Sequence, residues 1–287
     1  MEDGTSPLML RRRLRNELRT ARLDKDLTQE QVATAMDWSL SKINRIEKAK
    51  TGISTNDLKA VLPLYGITNK KRTEELIALA RAAKQLPWWQ KFKDVAPTTL
   101  LELIDYEFAA SAISHFEPTL VPGILQTEEY AEAVLRVFHG EGSSAERVTA
   151  LVDLRTRRRD LLESVGAPKF SFLLDEPVIR RVAGSPAIMS RQLMHLVSLA
   201  DLPNITMRVV PFTAGLHPGL KGAFKVIEFD DEPDESVAFL EGTHADTVSD
   251  DPEETKSYLE TFGRIAQMAL NPSDSAGLLR KAAGEMP

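Results

Sequence analysis

The sequence predicts an α+β protein, mostly helical: an amino-terminal domain of five helices followed by a larger mixed domain with a small sheet. Three observations carry this. Apolar residues recur at three- and four-residue spacing through the first 84 residues, as in Leu10, Leu14 and Leu18 or Leu58, Val61 and Leu62. Two short apolar runs, 170–174 and 205–210, flank a helical stretch, the order of a parallel strand pair with a right-handed crossover. Charge is divided as well: residues 1–84 carry 17 Lys and Arg against 11 Asp and Glu, whereas residues 85–287 carry 19 against 31.

The first domain spans 1–84. A helix over 8–23 places Leu10, Leu14, Leu18 and Ala21 inward and crowds six arginines around the rest. Thr28 and Gln31 form a capping box, in which hydroxyl and carboxamide satisfy each other's backbone amides, so a second helix starts there. Val32, Ala33 and Met36 give it one apolar face. Asp37 then stands at a sharp turn, where a left-handed backbone suits Asp better than most residues. Ser39 caps a third helix with Ile43 and Ile46 inward and Leu40, Ser41, Lys42, Asn44, Arg45 and Lys48 outward. Ser54 or Thr55 opens the fourth helix, and Thr68 or Asn69 the fifth. Two helices, a tight turn and a donor-rich, basic outer side make a helix-turn-helix. An αα-hairpin with a merely solvated polar face is the alternative.

The run LTQEQVA followed by Ser39-Leu40-Ser41-Lys42-Ile43-Asn44-Arg45-Ile46-Glu47 resembles the xenobiotic-response-element class of bacterial regulators. That resemblance implies that the second helix of the motif enters the major groove of an operator in double-stranded DNA. It implies Leu40, Ser41, Asn44 and Arg45 as the base-facing set, and Gln29, Lys42 and Lys48 as phosphate contacts, with Lys50 and Thr51 of the following loop added. Arg45 suits guanine, Asn44 adenine and Leu40 a thymine methyl. Asp37 and Ala49 stand where the class often has Gly.

Residues 85–99, with two prolines and the pair Trp88-Trp89, form a junction. A mixed domain over 100–270 follows, with helices over 100–111, 145–164, 186–199 and 252–268. Strands are expected over 170–174 and 205–210, and a hairpin over 223–229 and 237–241 turns through DDEPDE. Residues 115–126 are expected to be irregular, Thr127 to cap a helix, and 271–287 to be a weakly organised tail. Phe116-Glu117-Pro118, Leu120-Val121-Pro122-Gly123 and Leu125-Gln126-Thr127-Glu128-Glu129-Tyr130, with the tryptophan pair upstream, look like the hallmark of antitoxin-like bacterial transcriptional regulators. That family implies a carboxy-terminal domain of about two hundred residues that binds a small partner protein encoded nearby.

Several classes are excluded or disfavoured. There are no cysteines, which rules out disulfides and thiolate metal sites and suits a reducing cytoplasm. No apolar run approaches the roughly 18 residues of a membrane helix. The five histidines have no i, i+4 pair, so no metal and no cofactor is expected. Glu176, Glu228 and Glu241 lie near strand ends without a nucleophile beside them, so no catalytic residue is expected either. The glycine-rich stretch 215–222 with His217 reads as a ligand lid or as a plain surface connection. Arg155, Arg157, Arg158 and Arg159 read as a second nucleic-acid patch or, in an acidic domain, as partners of carboxylates. A homodimer is expected, because one recognition helix reads few bases. The competing reading is a ligand-sensing or enzymatic carboxy-terminal domain tethered to DNA.

Overall fold

Five helices build the amino-terminal unit in a computed structural model that describes residues 6–48, 51–139, 144–230, 236–242 and 245–286. They are α1 (Pro7–Leu23), α2 (Gln29–Met36), α3 (Leu40–Glu47), α4 (Thr55–Leu64) and α5 (Lys70–Ala82). Each begins where local chemistry dictates. Ser6 Oγ accepts from Leu8 N and Met9 N ahead of Pro7, Thr28 and Gln31 close the capping box, and Ser39, Ser54 and Asn69 accept from the amides three residues on. Asp37 adopts the left-handed conformation, φ 53°, that turns α2 into α3. Leu14, Leu18, Val32, Ile43, Leu58 and Leu76 meet in one core, each fully buried side chain stabilising by roughly 1.5–3 kcal/mol.

One expectation for α1 needs correcting. Of the six arginines set around the side away from Leu10, Leu14 and Leu18, Arg12, Arg15 and Arg22 are buried.

The chain divides into two units, Met1–Gln90 and Lys91–Pro287; the division lies within the sequence-predicted junction, where Trp88–Phe92 form a 3-10 turn. In the second unit the elements run α6 (Thr98–Ala109), β1 (Ala112–Glu117), α7 (Glu128–His139), α8 (Ala145–Arg159), β2 (Lys169–Asp175), α9 (Glu176–Arg180), α10 (Pro186–Leu199), β3 (Ile205–Val210), β4 (Phe224–Glu228), β5 (Val237–Leu240), β6 (Thr247–Ser249), α11 (Pro252–Met268) and α12 (Pro272–Gly284). The sheet order is β3-β2-β1-β4-β5-β6. The first three strands are mutually parallel, and β1, β4, β5 and β6 pair antiparallel. The strand-helix-strand unit forms as the sequence implied, and β4 and β5 pair as expected, in the register Phe224 to Leu240 and Ile227 to Val237; residues 231–235 of the acidic turn between them lie outside the described residues.

β1 departs from the expectation, which left 112–117 without a strand. It is central in the sheet because both its faces are buried: Ile113, His115 and Glu117 on one, Phe116 on the other. Pro118, which has no N–H for the ladder, follows at once.

One sheet face, with Ile113, Phe172, Ile227 and Phe239, belongs to the large core shared with α7 and α10; the other, with Phe116, Leu173, Phe224 and Val226, packs on Ile265 of α11. The expected weak tail is instead α12, capped by Asn271 with Pro272 at its first position. Leu279, Ala282 and Ala283 are buried at three- and four-residue spacing. Ser275 Oγ accepts from Val209 N at 3.0 Å, and Ser190 Oγ donates to Ala283 O at 2.9 Å. These contacts dock the helix on β3 and α10.

Candidate nucleic-acid interface and a carboxy-terminal cavity

The recognition surface is fixed from behind by a buried ion pair. Glu47, at the end of α3, accepts from Arg22 Nε at 2.6 Å and Nη2 at 2.9 Å, while Arg22 Nη1 donates to Leu27 O at 2.6 Å. The hydrogen bond to Glu47 raises the Arg22 pKa above its usual value. Burial, with Glu47 second, pushes the neighbouring Tyr65 hydroxyl up to about 12. α1, the α1–α2 turn and α3 therefore hold one geometry.

On the outer side Leu40, Ser41, Asn44, Arg45 and Lys48 are all exposed. Among the described residues, no side-chain partner engages Asn44 or Arg45. They stand one and two residues beyond Ile43, which is buried. Their two side chains can therefore present amide and guanidinium to a facing surface. The phosphate set fares differently. Gln29 is not free: its Nε2 donates to Glu47 Oε2 at 2.7 Å. Lys42 bridges Asp57 at 3.1 Å and lies over the Trp38 ring at 4.2 Å. Lys48 is exposed, Thr51 is exposed with its N–H on Arg45 O at 3.3 Å, and Lys50 lies outside the described residues.

In the second unit a cavity of about 320 Å³ opens between α6, α7, α8 and the sheet. Its floor carries Glu117, Lys225 and Glu241, which alternation and pairing place on one sheet face together with the buried His115. His115 lies opposite Lys225, Lys225 lies opposite Phe239, and Glu241 follows two residues later. Lys225 donates to Glu241 and lowers its pKa. Burial keeps His115 well below its usual pKa and raises Glu117. Over the floor, Arg158 makes a bidentate pair with Glu107, both buried. Arg155 donates to Leu151 O at 3.3 Å and pairs with no carboxylate among the described residues.

Residues 100–281, well over half of the chain, match the family described as a domain of unknown function, DUF5753. The chain belongs to the DUF5753 family. Residues 13–76 match a helix-turn-helix domain, which supports a DNA-binding regulator. No curated protein and no solved structure matches the chain.

The DUF5753 unit resolves the ambiguous clusters. Of the arginine run, Arg158 pairs with Glu107 and Arg157 with Asp153 at 2.9 Å, while Arg159 reaches Gln126 O at 3.4 Å. This favours the carboxylate reading over a second DNA patch. The stretch 215–222 covers the opposite sheet face, not the cavity. His217 is buried 3.4 Å from Asp175 and edge-on to Phe116, and Gly219 abuts Phe116 too closely for a Cβ. His115, Glu117 and Glu241 bring candidate ligand atoms within 4.8 Å of one another, but the Lys225 ammonium already supplies the cation that this group neutralises. Glu176 holds Arg180 at 3.0 Å and accepts from Phe212 N at 2.8 Å. The sequence singles out Glu117 and Gln126 only as part of a family hallmark and Arg155 only as part of an arginine cluster, and does not single out Lys225; that the four line one cavity escaped the sequence reading. The one visible signal was a lysine inside the apolar run AFKVIEF. Among the described residues no helix is long and apolar enough to cross a membrane.

Proposed function

We propose that this protein is a sequence-specific, cytoplasmic transcriptional regulator of the xenobiotic-response-element class, antitoxin-like rather than enzymatic. In this reading α3 lies in the major groove of its operator. Leu40, Ser41, Asn44 and Arg45 face base edges, and Lys48 and Thr51 meet phosphate, with Lys42 available once its bridge to Asp57 opens. The DUF5753 unit mediates homodimerisation and binds a small partner protein encoded nearby, so that paired half-sites supply the specificity one helix lacks.

The observation that carries the reading is the contrast across α3. Its inner side is locked by Ile43, Ile46 and the Arg22–Glu47 pair, while Asn44 and Arg45 outside are left unengaged among the described residues. A solvated hairpin face needs no such fixation. The test is Arg45→Ala on an operator selected with the full chain. The expected loss is about 1–3 kcal/mol at that site, with one base position relaxed and little change on random duplex. Equal losses on both duplexes speak against base reading by Arg45. The second reading, a ligand-sensing carboxy-terminal domain, is favoured by the cavity.

A further inference from the structure

The cavity of the DUF5753 unit has the composition of a small-molecule site. Its walls are aliphatic, with Leu103, Leu120, Val134, Leu135, Leu151 and Leu154 lining it from three helices and a loop. Its volume of about 320 Å³ lies at the lower end of known ligand pockets and admits roughly ten non-hydrogen atoms at about 30 Å³ each. Two polar groups in this apolar setting lack what they need. Gln126 is 7 % exposed; its Nε2 donates to Val121 O at 2.8 Å, but its Oε1 has no donor among the described residues. Arg155 pairs with no carboxylate among the described residues, although it stands one helical turn from Arg158, whose charge Glu107 already takes.

We propose that this cavity binds a small amphipathic organic anion, its acid group on the Arg155 guanidinium, its aliphatic body among the leucines and a hydroxyl or amide donor on Gln126 Oε1. The absence of a side chain at Gly123 leaves the guanidinium pair open on that side: a Cβ there would lie 3.6 Å from Arg158 Nη1 and 4.0 Å from Arg155 Nε. Desolvation first, and the like charge of Arg158 second, lower the Arg155 pKa to about 10, with the charge of Glu241 opposing them; an anion in contact offsets both effects by direct attraction. The other charged and acidic groups of the lining each have a hydrogen-bond partner; Asp246 accepts from Gly242 N at 3.3 Å and from Thr99 Oγ1 at 3.4 Å. Lys225 is balanced by Glu241, and Glu117 accepts from Thr119 at 3.0 Å. A cationic ligand would meet Arg155 unfavourably, and a purely apolar one would leave Gln126 Oε1 without a donor.

The inference is independent of DNA binding, so it is tested on the full chain without DNA. Calorimetry with octanoate, 3-hydroxyoctanoate, octan-1-ol and octylamine separates charge from apolar length. Octanoate is expected to bind about tenfold or more tightly than octan-1-ol, and 3-hydroxyoctanoate more tightly still. Octylamine is expected to bind weakest. Arg155→Gln is expected to erase the preference for the acid, and Arg155→Lys to keep part of it, both being checked by thermal melting. If Arg155→Gln does not fold, methyl chemical shifts of Val134 and Leu135 on adding octanoate to the unaltered chain locate the site. Equal affinity for octanoate and octan-1-ol, no octanoate binding at low millimolar concentration, a preference that survives Arg155→Gln, or shifts confined to other methyl groups would each overturn the proposal.

Discussion

Glu47→Ala is expected to destabilise the amino-terminal unit by about 3–5 kcal/mol, because it strips the carboxylate from a buried guanidinium. Arg22 is 7 % exposed and gives Glu47 two of its donors, at 2.6 and 2.9 Å, while Gln29 gives a third at 2.7 Å. Alanine leaves all three without an acceptor. Set against the roughly 5–15 kcal/mol that holds a typical domain, the loss brings this unit close to unfolding. The three tryptophans, Trp38, Trp88 and Trp89, all fall within residues 1–90, so their fluorescence in a urea titration follows this unit. Arg22→Met combined with Glu47→Leu, which removes both charges, is expected to recover most of the stability. A loss below about 1 kcal/mol in Glu47→Ala would mean that the pair is an ornament of an otherwise sufficient core.

Glu107→Ala is expected to act on the other unit with similar force, again about 3–5 kcal/mol. Arg158 is 4 % exposed and bonds both oxygens of Glu107, itself 2 % exposed. Without that carboxylate two guanidiniums one turn apart, Arg155 and Arg158, share a water-poor cavity wall. Thermal unfolding followed by far-ultraviolet circular dichroism should show the carboxy-terminal transition moving down, while the urea midpoint seen by tryptophan fluorescence stays in place. Glu107→Gln, which still accepts hydrogen bonds but carries no charge, is expected to fall between the two. An unchanged melting temperature in Glu107→Ala would contradict the assignment of Arg158 to this pair.

What was legible in the sequence was what local chemistry decides. Thr28 with Gln31, Ser39, Ser54 and Asn69 mark helix starts because their side chains satisfy amides three residues away. Asp37 marks the turn because few residues tolerate its positive φ. The parallel pair was visible as an aromatic and aliphatic run at 170–174 followed by a β-branched one at 205–210, and the hairpin as two apolar runs about an acidic turn. β1 was not, because a strand buried on both faces loses the two-residue alternation, and this one carries His115 and Glu117 where an apolar residue is expected. α12 was hidden for the opposite reason. Its buried stripe is made of small residues, Ala282 and Ala283 beside Leu279, whose burial depends on the close approach of α10 and β3. A ligand-sensing domain is the competing reading of the sequence, but the place of the cavity was not legible: Glu117 and Lys225 are brought together by the pairing of β1 with β4, and Gln126 and Arg155 reach them only through the packing of a loop and α8 over the sheet. For the phosphate set, residue type alone does not disclose that Gln29 donates to Glu47 and that Lys42 bridges Asp57.

The central claim, that α3 lies in the major groove with Arg45 on a base edge, is tested most directly by methylation interference. Duplexes selected by the full chain from a random pool are methylated at guanine N7, an acceptor that only the major groove presents, and then sorted into bound and free. Methylation within each half-site is expected to exclude a duplex from the bound fraction, and Arg45→Ala to abolish that exclusion at one guanine while leaving the others. Bound duplexes carrying N7-methylguanine throughout the selected site as often as free ones would contradict it.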